Sequence, residues 1–236
     1  DIERLNEDIY EDAVYLFSID GERYYLVEEI NRERQSHFTM ENTEIFRYAE
    51  PQYLAFAGIT GYQLHNWYQS RRFCGKCGRR MKKDSKERML YCESCHNMEF
   101  PKICPAVIIG VTDGDKILMS KYAGRTYKKY ALLAGFTEIG ETLEETVQRE
   151  VMEEVGLKVK NIRYYKSQPW AFSCTEMIGF FADLDGDDTI TLRDNELQEA
   201  KWFAYDEIPP SMDNLSIAQE MIEVVRQRKH TTLNNR

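Results

Sequence analysis

The sequence has no long apolar run: no stretch approaches the ~18 residues that a membrane-spanning helix needs. Its first residues, DIERLNEDIYEDAVYLF, lack the basic and then apolar pattern of a secretory signal. It also has no P-loop, and its four histidines belong to no serine or cysteine triad pattern. These absences predict a cytoplasmic protein without a membrane partner, and nothing indicates catalysis by a side-chain nucleophile.

Positive charge is scarce, because 31 lysines and arginines stand against 40 acidic residues and the formal net charge is −9. This balance argues against general affinity for duplex DNA. Residues 71–88 are the exception, with nine basic residues against two acidic ones. That segment carries +7, which leaves −16 on the rest of the chain. Two interpretations stay open: the basic residues offset thiolate charge and stay solvated, or they bind phosphate, including an RNA 5′ end.

The N-terminal part predicts a small α+β domain over residues 1–70. The β-prone runs AVYLFSI and RYYLVEEI flank the turn signal Asp20-Gly21, which indicates a hairpin. After Pro51 the pattern changes to a helix. The positions of this helix that we expect to be buried are Tyr53, Phe56, Tyr62, Leu64 and Trp67.

A cysteine-rich segment follows, over residues 71–103. Its pattern is C-x2-C, fourteen residues, C-x2-C, formed by Cys74, Cys77, Cys92 and Cys95. Two such knuckles present four thiolates within reach of one tetrahedral zinc ion, and four protein ligands leave no open position, so the zinc is expected to be structural. Disulfides are the alternative, but they are rare in a reducing compartment. A redox site is another, but it needs only one C-x-x-C pair.

Residues 104–236 predict a third domain, with a hairpin around Asp113-Gly114 and later strands near 159–166 and 177–184. Its strongest helix carries a cluster of carboxylates. Thr142 followed by Glu145 is a capping-box pattern, and Gly156 is a natural stop, which predicts a helix over 143–155. One apolar stripe recurs every fourth residue, at Leu143, Val147, Val151 and Val155.

On this helix Glu150, Glu153 and Glu154 stand at i, i+3 and i+4, within an arc of about 100°. Three carboxylates so close repel one another unless a cation lies among them, and Mg²⁺ or Mn²⁺ is the natural candidate because hard cations take oxygen ligands. Gly135 lets the backbone turn beside them, and the Ala134 carbonyl offers a further oxygen. The alternative is a solvated acidic helix face.

The run GFTEIGETLEETVQREVMEEVGL resembles the Nudix box of the Nudix hydrolases at every defined position. The matching residues are Gly135, Glu141, Arg149, Glu150, Val151, Glu153, Glu154, Gly156 and Leu157. The resemblance implies an α/β/α sandwich with a mixed sheet, and hydrolysis of a nucleoside diphosphate linked to another group. It also implies that Glu150, Glu153 and Glu154 bind the catalytic metal, one of the latter two also serving as base. By the same resemblance Arg149 and Glu141 form a structural ion pair, and Glu196 is a further catalytic and metal-binding carboxylate.

A zinc ribbon directly before this domain resembles the NADH pyrophosphatase branch, and the likeness covers about residues 65–220. That branch has the run SQPWPFPxS, where this chain reads SQPWAFSCT over residues 167–175. By resemblance the substrate contacts are Glu87, Phe100, Gln168, Pro169, Trp170, Ala171, Phe172, Ser173, Cys174, Thr175 and Ala218. Ala171 and Ser173 replace prolines, which is expected to loosen the loop. Trp170 and Phe172 either stack on a nicotinamide or adenine ring or belong to the core.

The functional prediction is therefore a diphosphatase that cuts NADH or NAD to nicotinamide mononucleotide and AMP, with removal of NAD caps from RNA as a related activity. Two alternatives stay open. One is hydrolysis of ADP-ribose or dinucleoside polyphosphates, and the other is a ligand-binding regulator built on a Nudix domain. The three clustered glutamates argue against a regulator. The resemblance also implies a homodimer.

Overall fold

The computed structural model forms two compact units and describes residues 13–27, 39–124, 129–193, 196–210 and 215–233, with the side chains of 228–233 left out. The first unit comprises residues 1–102 together with 171–174, and the second comprises 103–170 and 175–236. Among the described residues there is no helix long and apolar enough to cross a membrane.

The first unit begins with the predicted hairpin. Strand β1 (Val14–Ile19) pairs antiparallel with β2 (Glu22–Leu26). Asp20 and Gly21 both have positive φ, 50° and 86°, as a two-residue hairpin turn of this hand requires. The end of the second predicted run, residues 28–30, lies outside the described residues.

A short 3-10 helix (Thr43–Arg47) leads into helix α1 (Gln52–Ser70). The helix was predicted, but its buried face was predicted wrongly at three positions: Tyr53, Phe56 and Tyr62 are 51%, 48% and 41% exposed. The buried positions are small near the start of the helix and large near its end, and the buried residues are Ala55, Ala57, Ile59, Leu64, Trp67 and Tyr68. Small side chains let the helix approach its neighbours closely, and Gly58 lies so near the Phe46 ring that a Cβ there would be 2.3 Å from it.

The cysteine segment forms three two-residue strands, β3 (Lys82–Lys83), β4 (Leu90–Tyr91) and β5 (Met98–Glu99), in an antiparallel sheet. Its interior shares one core with α1. The buried members of that core are Trp67, Tyr68, Cys74, Met81, Leu90 and Cys92. The segments expected as two domains, 1–70 and 71–103, thus lie in one compact unit, and the boundaries of the three-domain division remain a prediction.

The second unit is built on a six-stranded sheet. Its strands are β6 (Cys104–Asp113), β7 (Lys116–Tyr122), β8 (Leu133–Phe136), β9 (Val159–Trp170), β10 (Thr175–Leu184) and β11 (Leu197–Ala204). The order is β11-β7-β6-β10-β9, with β8 also paired to β6. Among the described strands of this sheet only β10 and β6 run parallel, so the sheet is mixed as expected.

Two helices cover the two faces of this sheet. Residues of β6 alternate between the faces: Val107, Ile109 and Val111 pack in the core that contains helix α2 (Leu143–Val155), whereas Ile108 packs in the core that contains helix α3 (Ile217–Leu233). The predicted α/β/α sandwich is therefore confirmed.

The hairpin of β9 and β10 is longer than the sequence predicts. Strands were expected near 159–166 and 177–184, but the antiparallel pairing continues to Trp170 opposite Thr175. A four-residue turn, 171–174, closes it, and Cys174 adopts a positive φ of 56°. Gln168, Pro169 and Trp170 accordingly lie on a strand rather than in a loop.

Candidate functional site

Helix α2 begins and ends where the sequence predicts. The capping box is present, because the Thr142 hydroxyl accepts from the Glu145 N–H at 3.2 Å and the Glu145 carboxylate accepts from the Thr142 N–H at 2.8 Å. The helix ends at Gly156, whose φ is 72°. Val147, Val151 and Val155 are fully buried, which fixes the rotation of the helix about its axis.

Glu150 lies directly against the backbone of strand β8. A Cβ added to Gly135 would lie 1.8 Å from the Glu150 carboxyl carbon and 2.1 and 2.2 Å from its oxygens. Only a glycine therefore allows the carboxylate to rest on this strand. Ala134, the residue before it, is half-buried on the same strand, opposite Ile108 of β6.

Arg149 connects the helix to the loop before it. Its guanidinium donates to Glu141 from Nε at 2.6 Å and from Nη2 at 3.0 Å, and Nη2 also donates to the Phe136 carbonyl at 2.9 Å. Its Nη1 lies 2.6 Å from Glu150 and 2.9 Å from Glu153. Hydrogen bonds from Arg149 lower the pKa of Glu141 to about 2, so this pair stays ionised. The ion pair expected between Arg149 and Glu141 is thus present.

The four candidate carboxylates differ in environment. Glu154 is only 6% exposed, whereas Glu153 and Glu196 are exposed. Burial raises the pKa of Glu150; Arg149 opposes this shift, while the negative charges of Glu153 and Glu196 add to it. Glu196 precedes β11 in the sheet, so the fold brings a carboxylate from 46 positions further along the chain into electrostatic reach of α2.

The donor set of this region suits a hard divalent cation. Every candidate ligand is an oxygen: the carboxylates of Glu150, Glu153, Glu154 and Glu196 and the carbonyl of Ala134, and such sets select Mg²⁺ or Mn²⁺ over softer metals. Glu150 feels two neighbouring carboxylates, and a cation among them would relieve that repulsion. The residues present therefore fit such an ion.

The four cysteines of the ribbon form a tight tetrad. Their sulfurs all lie within 4.8 Å of one another, with Cys74–Cys95 and Cys77–Cys92 distances of 3.5 Å. A zinc tetrahedron with bonds of ~2.3 Å has sulfur–sulfur edges of about 3.8 Å. In the described part of the chain no other group of three or more His, Cys, Asp or Glu residues gathers this closely.

The environment of these cysteines favours a thiolate site over disulfides. All six cysteines, including Cys104 and Cys174 outside the motif, are unbonded to one another. The N–H groups of Cys95 and Ser94 lower the pKa of Cys92 to about 7, although burial opposes them. The Asn97 N–H acts in the same direction on Cys95, but burial and hydrogen bonds to the other three cysteines raise the pKa of Cys95 to about 12. A bound cation is what would hold all four groups as thiolates.

The predicted substrate residue Gln168 is bound at the start of α3, next to the position of a second one, Ala218. Gln168 accepts from the Ile217 N–H at 2.6 Å and donates to the Leu215 carbonyl at 3.0 Å, so its amide is bound to the beginning of this helix. Ala218 is the next residue and is half-buried. In this conformation Gln168 therefore positions the backbone around Ala218, a link between residues fifty apart for which the sequence has no signal.

The aromatic residues of the SQPW run divide between the two units. Trp170 packs against the core beneath α3 in the second unit. Phe172 belongs to the first unit, where the Arg47 guanidinium lies 4.2 Å from its ring centroid. A cation over an aromatic face stabilises the position of the ring. Arg47 was not among the predicted site residues, and a contact across 125 positions leaves no local sequence pattern.

The remaining predicted substrate residues are spread over both units. Phe100 is 57% exposed. Glu87 is exposed on a turn in which the N–H groups of Lys86 and Glu87 donate to the Asp84 carboxylate. Ala171 and Thr175 are buried, Cys174 is half-buried, and Pro169 and Ser173 are exposed. Their contact with a substrate stays a prediction.

Glu199 has a role within the sheet. It accepts from the Tyr130 hydroxyl at 2.8 Å and lies 3.5 Å from Lys121 and 3.6 Å from Lys201. The Tyr130 hydrogen bond and these cations lower the pKa of Glu199. It is thus held on the sheet surface by partners of its own.

Comparison with known proteins gives two family matches. A model described as the NUDIX domain matches residues 102–225, and one described as the NADH pyrophosphatase zinc ribbon domain matches residues 69–100. Among solved structures, a NUDIX hydrolase from Nitrosomonas europaea superposes with a TM-score of 0.57 at 25% identity, covering 67% of this chain and 93% of that one.

Several curated relatives carry the name NAD-capped RNA hydrolase NudC. The protein from Haemophilus influenzae is 41% identical over 172 residues, which cover 70% of this chain. The protein from Mannheimia succiniciproducens is 36% identical over 213 residues, 87% of this chain and 78% of the relative. The chain spans 63% of the length of the Haemophilus relative.

Proposed function

Because the chain belongs to the Nudix family, we propose that it is a metal-dependent hydrolase that cuts the pyrophosphate bond of NADH or NAD, giving nicotinamide mononucleotide and AMP. The observation that carries this proposal is the placement of the Glu150 carboxylate against Gly135, where the charges of Glu153 and Glu196 act on it. The ribbon match and the names of the relatives support the choice of a nicotinamide dinucleotide.

The proposed metal ligands are Glu150, Glu153, Glu154, Glu196 and the Ala134 carbonyl. When bound, Mg²⁺ or Mn²⁺ would neutralise the pyrophosphate oxygens and supply an activated water. Arg149 holds Glu141, Glu150 and Glu153 in one arrangement, so the carboxylates are positioned before a substrate arrives. We propose that Glu153 or Glu154 serves as the base.

Zinc is proposed to act only in the ribbon. Four thiolates fill a tetrahedral shell, so no position remains for a substrate. Its contribution is to hold β3, β4 and β5 together, because strands of two residues each are too short to be stable alone.

Selectivity for the dinucleotide is assigned to the residues around the hairpin of β9 and β10. Phe172 and Phe100 are the aromatic surfaces proposed to contact a base, since both retain exposed area. Trp170 is packed against the core, so its proposed part is to fix the strand that carries Gln168. Stacking of a base on an aromatic ring contributes about 1–3 kcal/mol.

Removal of NAD caps from RNA is proposed as a second activity of the same site. The relatives are named for it, and cutting the cap breaks the same pyrophosphate bond.

We also propose a homodimer and a cytoplasmic location. The location is supported by the cysteine tetrad, since a reducing compartment keeps four neighbouring thiols from forming disulfides and so able to bind a metal. Light scattering at micromolar concentration that shows only monomers would contradict the dimer.

A second candidate substrate class is ADP-ribose or a dinucleoside polyphosphate. The observation in its favour is the turn 171–174, where Ala171 and Ser173 stand in place of two prolines of the resembling branch. The replacements alter the turn that carries Phe172 and leave the four carboxylates unchanged. They would change which substrate is preferred, through the group that is linked to the pyrophosphate.

The proposal is tested by a product assay across NADH, NAD, ADP-ribose and diadenosine polyphosphates, with Mg²⁺ or Mn²⁺ supplied. We expect nicotinamide mononucleotide and AMP from the first two, and hydrolysis in ¹⁸O-water to place the label in AMP. A hundredfold preference for ADP-ribose would move the chain to the second substrate class. No cleavage of any of them would contradict the enzyme assignment.

A further inference from the structure

One face of the ribbon sheet carries cations and aromatic rings side by side. In an antiparallel sheet, paired residues lie on the same face, and so do residues two apart on a strand. The register pairs Lys82 with Tyr91 and Tyr91 with Met98, and an isolated bridge pairs Phe73 with Arg80. Arg80 is two positions before Lys82. These five residues, called here the ribbon face, therefore point the same way.

The opposite face of the same sheet is used for packing. Met81 and Leu90 alternate with the ribbon-face residues and are 7% and 4% exposed within the core. In contrast, Phe73 and Met98 of the ribbon face are 63% and 61% exposed. Phe73 and Met98 are thus left outside the core of their own unit, and Tyr91 between them in the sheet is half-buried.

Part of the positive charge around this face has no partner among the residues that the structure describes. Five of the nine cations of residues 71–88 are engaged: Arg71 with Glu99, Arg79 with Ser94, Lys82 with Glu93, Lys83 over the Tyr68 ring, and Arg88 with the Leu16 carbonyl. Four are exposed and, within the described residues, form no ion pair: Arg72, Lys76, Arg80 and Lys86.

The thiolates do not account for this excess. Four thiolates around Zn²⁺ carry a net charge of about −2. Residues 71–99 hold nine basic and four acidic residues, a formal +5. The segment would remain at about +3 with zinc bound, in a chain whose net charge is −9. The positive charge therefore indicates an anionic partner rather than compensation of the metal site.

We propose that the ribbon face binds a single-stranded RNA chain, with bases stacked on Phe73 and Tyr91 and phosphates on Arg80 and on Arg72, an exposed cation next to Phe73 in sequence that is not itself part of the face. Interleaved cations and aromatic rings are what sequence-tolerant binding of single strands requires. A duplex hides the faces of its bases, so exposed rings favour an unpaired strand. This inference deepens the proposed function, because the chain would be the RNA body of an NAD-capped substrate.

Binding is tested with an uncapped, fluorescently labelled twelve-nucleotide RNA, by anisotropy over a series of salt concentrations. The double variant Arg72→Gln/Arg80→Gln is expected to lower the salt slope by about 1.4, because each phosphate contact on a single strand contributes ~0.7. Phe73→Ala is expected to weaken binding about fivefold or more at every salt concentration, since stacking is not screened.

The matched control is Lys158→Gln/Lys160→Gln, which removes two exposed cations from the second unit. It should leave affinity within about twofold of the unchanged chain. Zinc content and Tm of all variants should also be unchanged, because the side chains of Arg72, Phe73 and Arg80 are exposed. Loss of affinity in the control equal to that in the ribbon variants would overturn the assignment of the face.

The hydrolysis readout separates this inference from the proposed function. The ribbon variants should cut NADH with unchanged kcat/KM, but their KM for NAD-capped RNA should rise at least tenfold. Cleavage of NADH without any RNA binding at low salt would overturn the ribbon face alone. RNA binding without any pyrophosphate cleavage would overturn the proposed function alone.

Equal affinity for duplex RNA, or displacement of RNA by vesicles containing phosphatidylserine, would also refute the single-strand assignment.

Discussion

Replacing Gly135 with alanine should disable the site while leaving the fold intact. The new Cβ would lie 1.8 Å from the Glu150 carboxyl carbon, whereas carbon atoms in contact stand about 3.5 Å apart. The carboxylate must therefore retreat by more than about 1.5 Å. Misplacement of a catalytic group by ~1 Å can cost about a hundredfold in rate, so we expect kcat/KM for NADH to fall by a factor of about 100 or more.

The stability of the variant should change little. The atoms that clash are the end of a flexible side chain, and Gly135 does not have a positive φ, so alanine is compatible with its backbone. We expect Tm to shift by no more than a few degrees. Gly61→Ala is the matched control, because its Cβ would make an ordinary 3.4 Å contact with Leu16 and activity should be kept.

A double-mutant cycle with Glu150→Gln identifies the cause. If alanine at 135 acts by displacing Glu150, the double variant should be no slower than Glu150→Gln alone, because both changes remove the same interaction. Steady-state NADH cleavage under saturating Mn²⁺ measures all four proteins. Fully additive losses, or activity of the alanine variant within threefold of the unchanged chain, would refute the reasoning.

Three further predictions concern other parts of the chain. Glu153→Gln or Glu154→Gln should lower turnover by orders of magnitude with an unchanged circular dichroism spectrum, and turnover within threefold in both would show that the metal site is misassigned. Elemental analysis after dialysis should find one zinc per chain, and Cys92→Ser should lose it and lower Tm more than turnover; four titratable thiols without zinc would contradict the tetrad. Asp183→Asn should cost about 1 kcal/mol at pH 7, a value reduced for solvent screening. Hydrogen bonds from Arg163 hold the pKa of Asp183 below its unfolded value, so this stability is present above pH ~4 and is lost as the pH falls further. Urea unfolding of both proteins at pH 7 and pH 3 checks it, and an equal difference at the two pH values would contradict the linkage.

Features governed by neighbours in sequence could be predicted closely. Helix α2 begins and ends at Leu143 and Val155 as expected, because a capping box and a left-handed glycine act within one turn. The same holds for the turns at Asp20-Gly21 and Gly114, where positive φ is a property of the residues themselves. The knuckle spacing likewise brings together the two cysteines of each C-x2-C pair, because each pair is local, whereas the meeting of the two pairs needs the fold of the ribbon.

Features governed by packing could not be predicted in this way. The buried face of α1 was misjudged because side-chain size does not reveal which face meets a neighbour, and Ala55 is buried whereas Phe56 is exposed. The end of β9 was placed too early because pairing with β10, rather than local propensity, decides where a strand stops.

The sequence by itself determined the chemical groups of the site: three glutamates on one helix, a glycine before them and four cysteines in two pairs. The tertiary structure decided their surroundings. It laid Glu150 on the Gly135 backbone, brought Glu196 near α2 and bound Gln168 to the start of α3. The physical reason is range: caps, turns and metal knuckles are fixed within a few residues, whereas contacts between distant segments depend on how the whole sheet and its two cores pack.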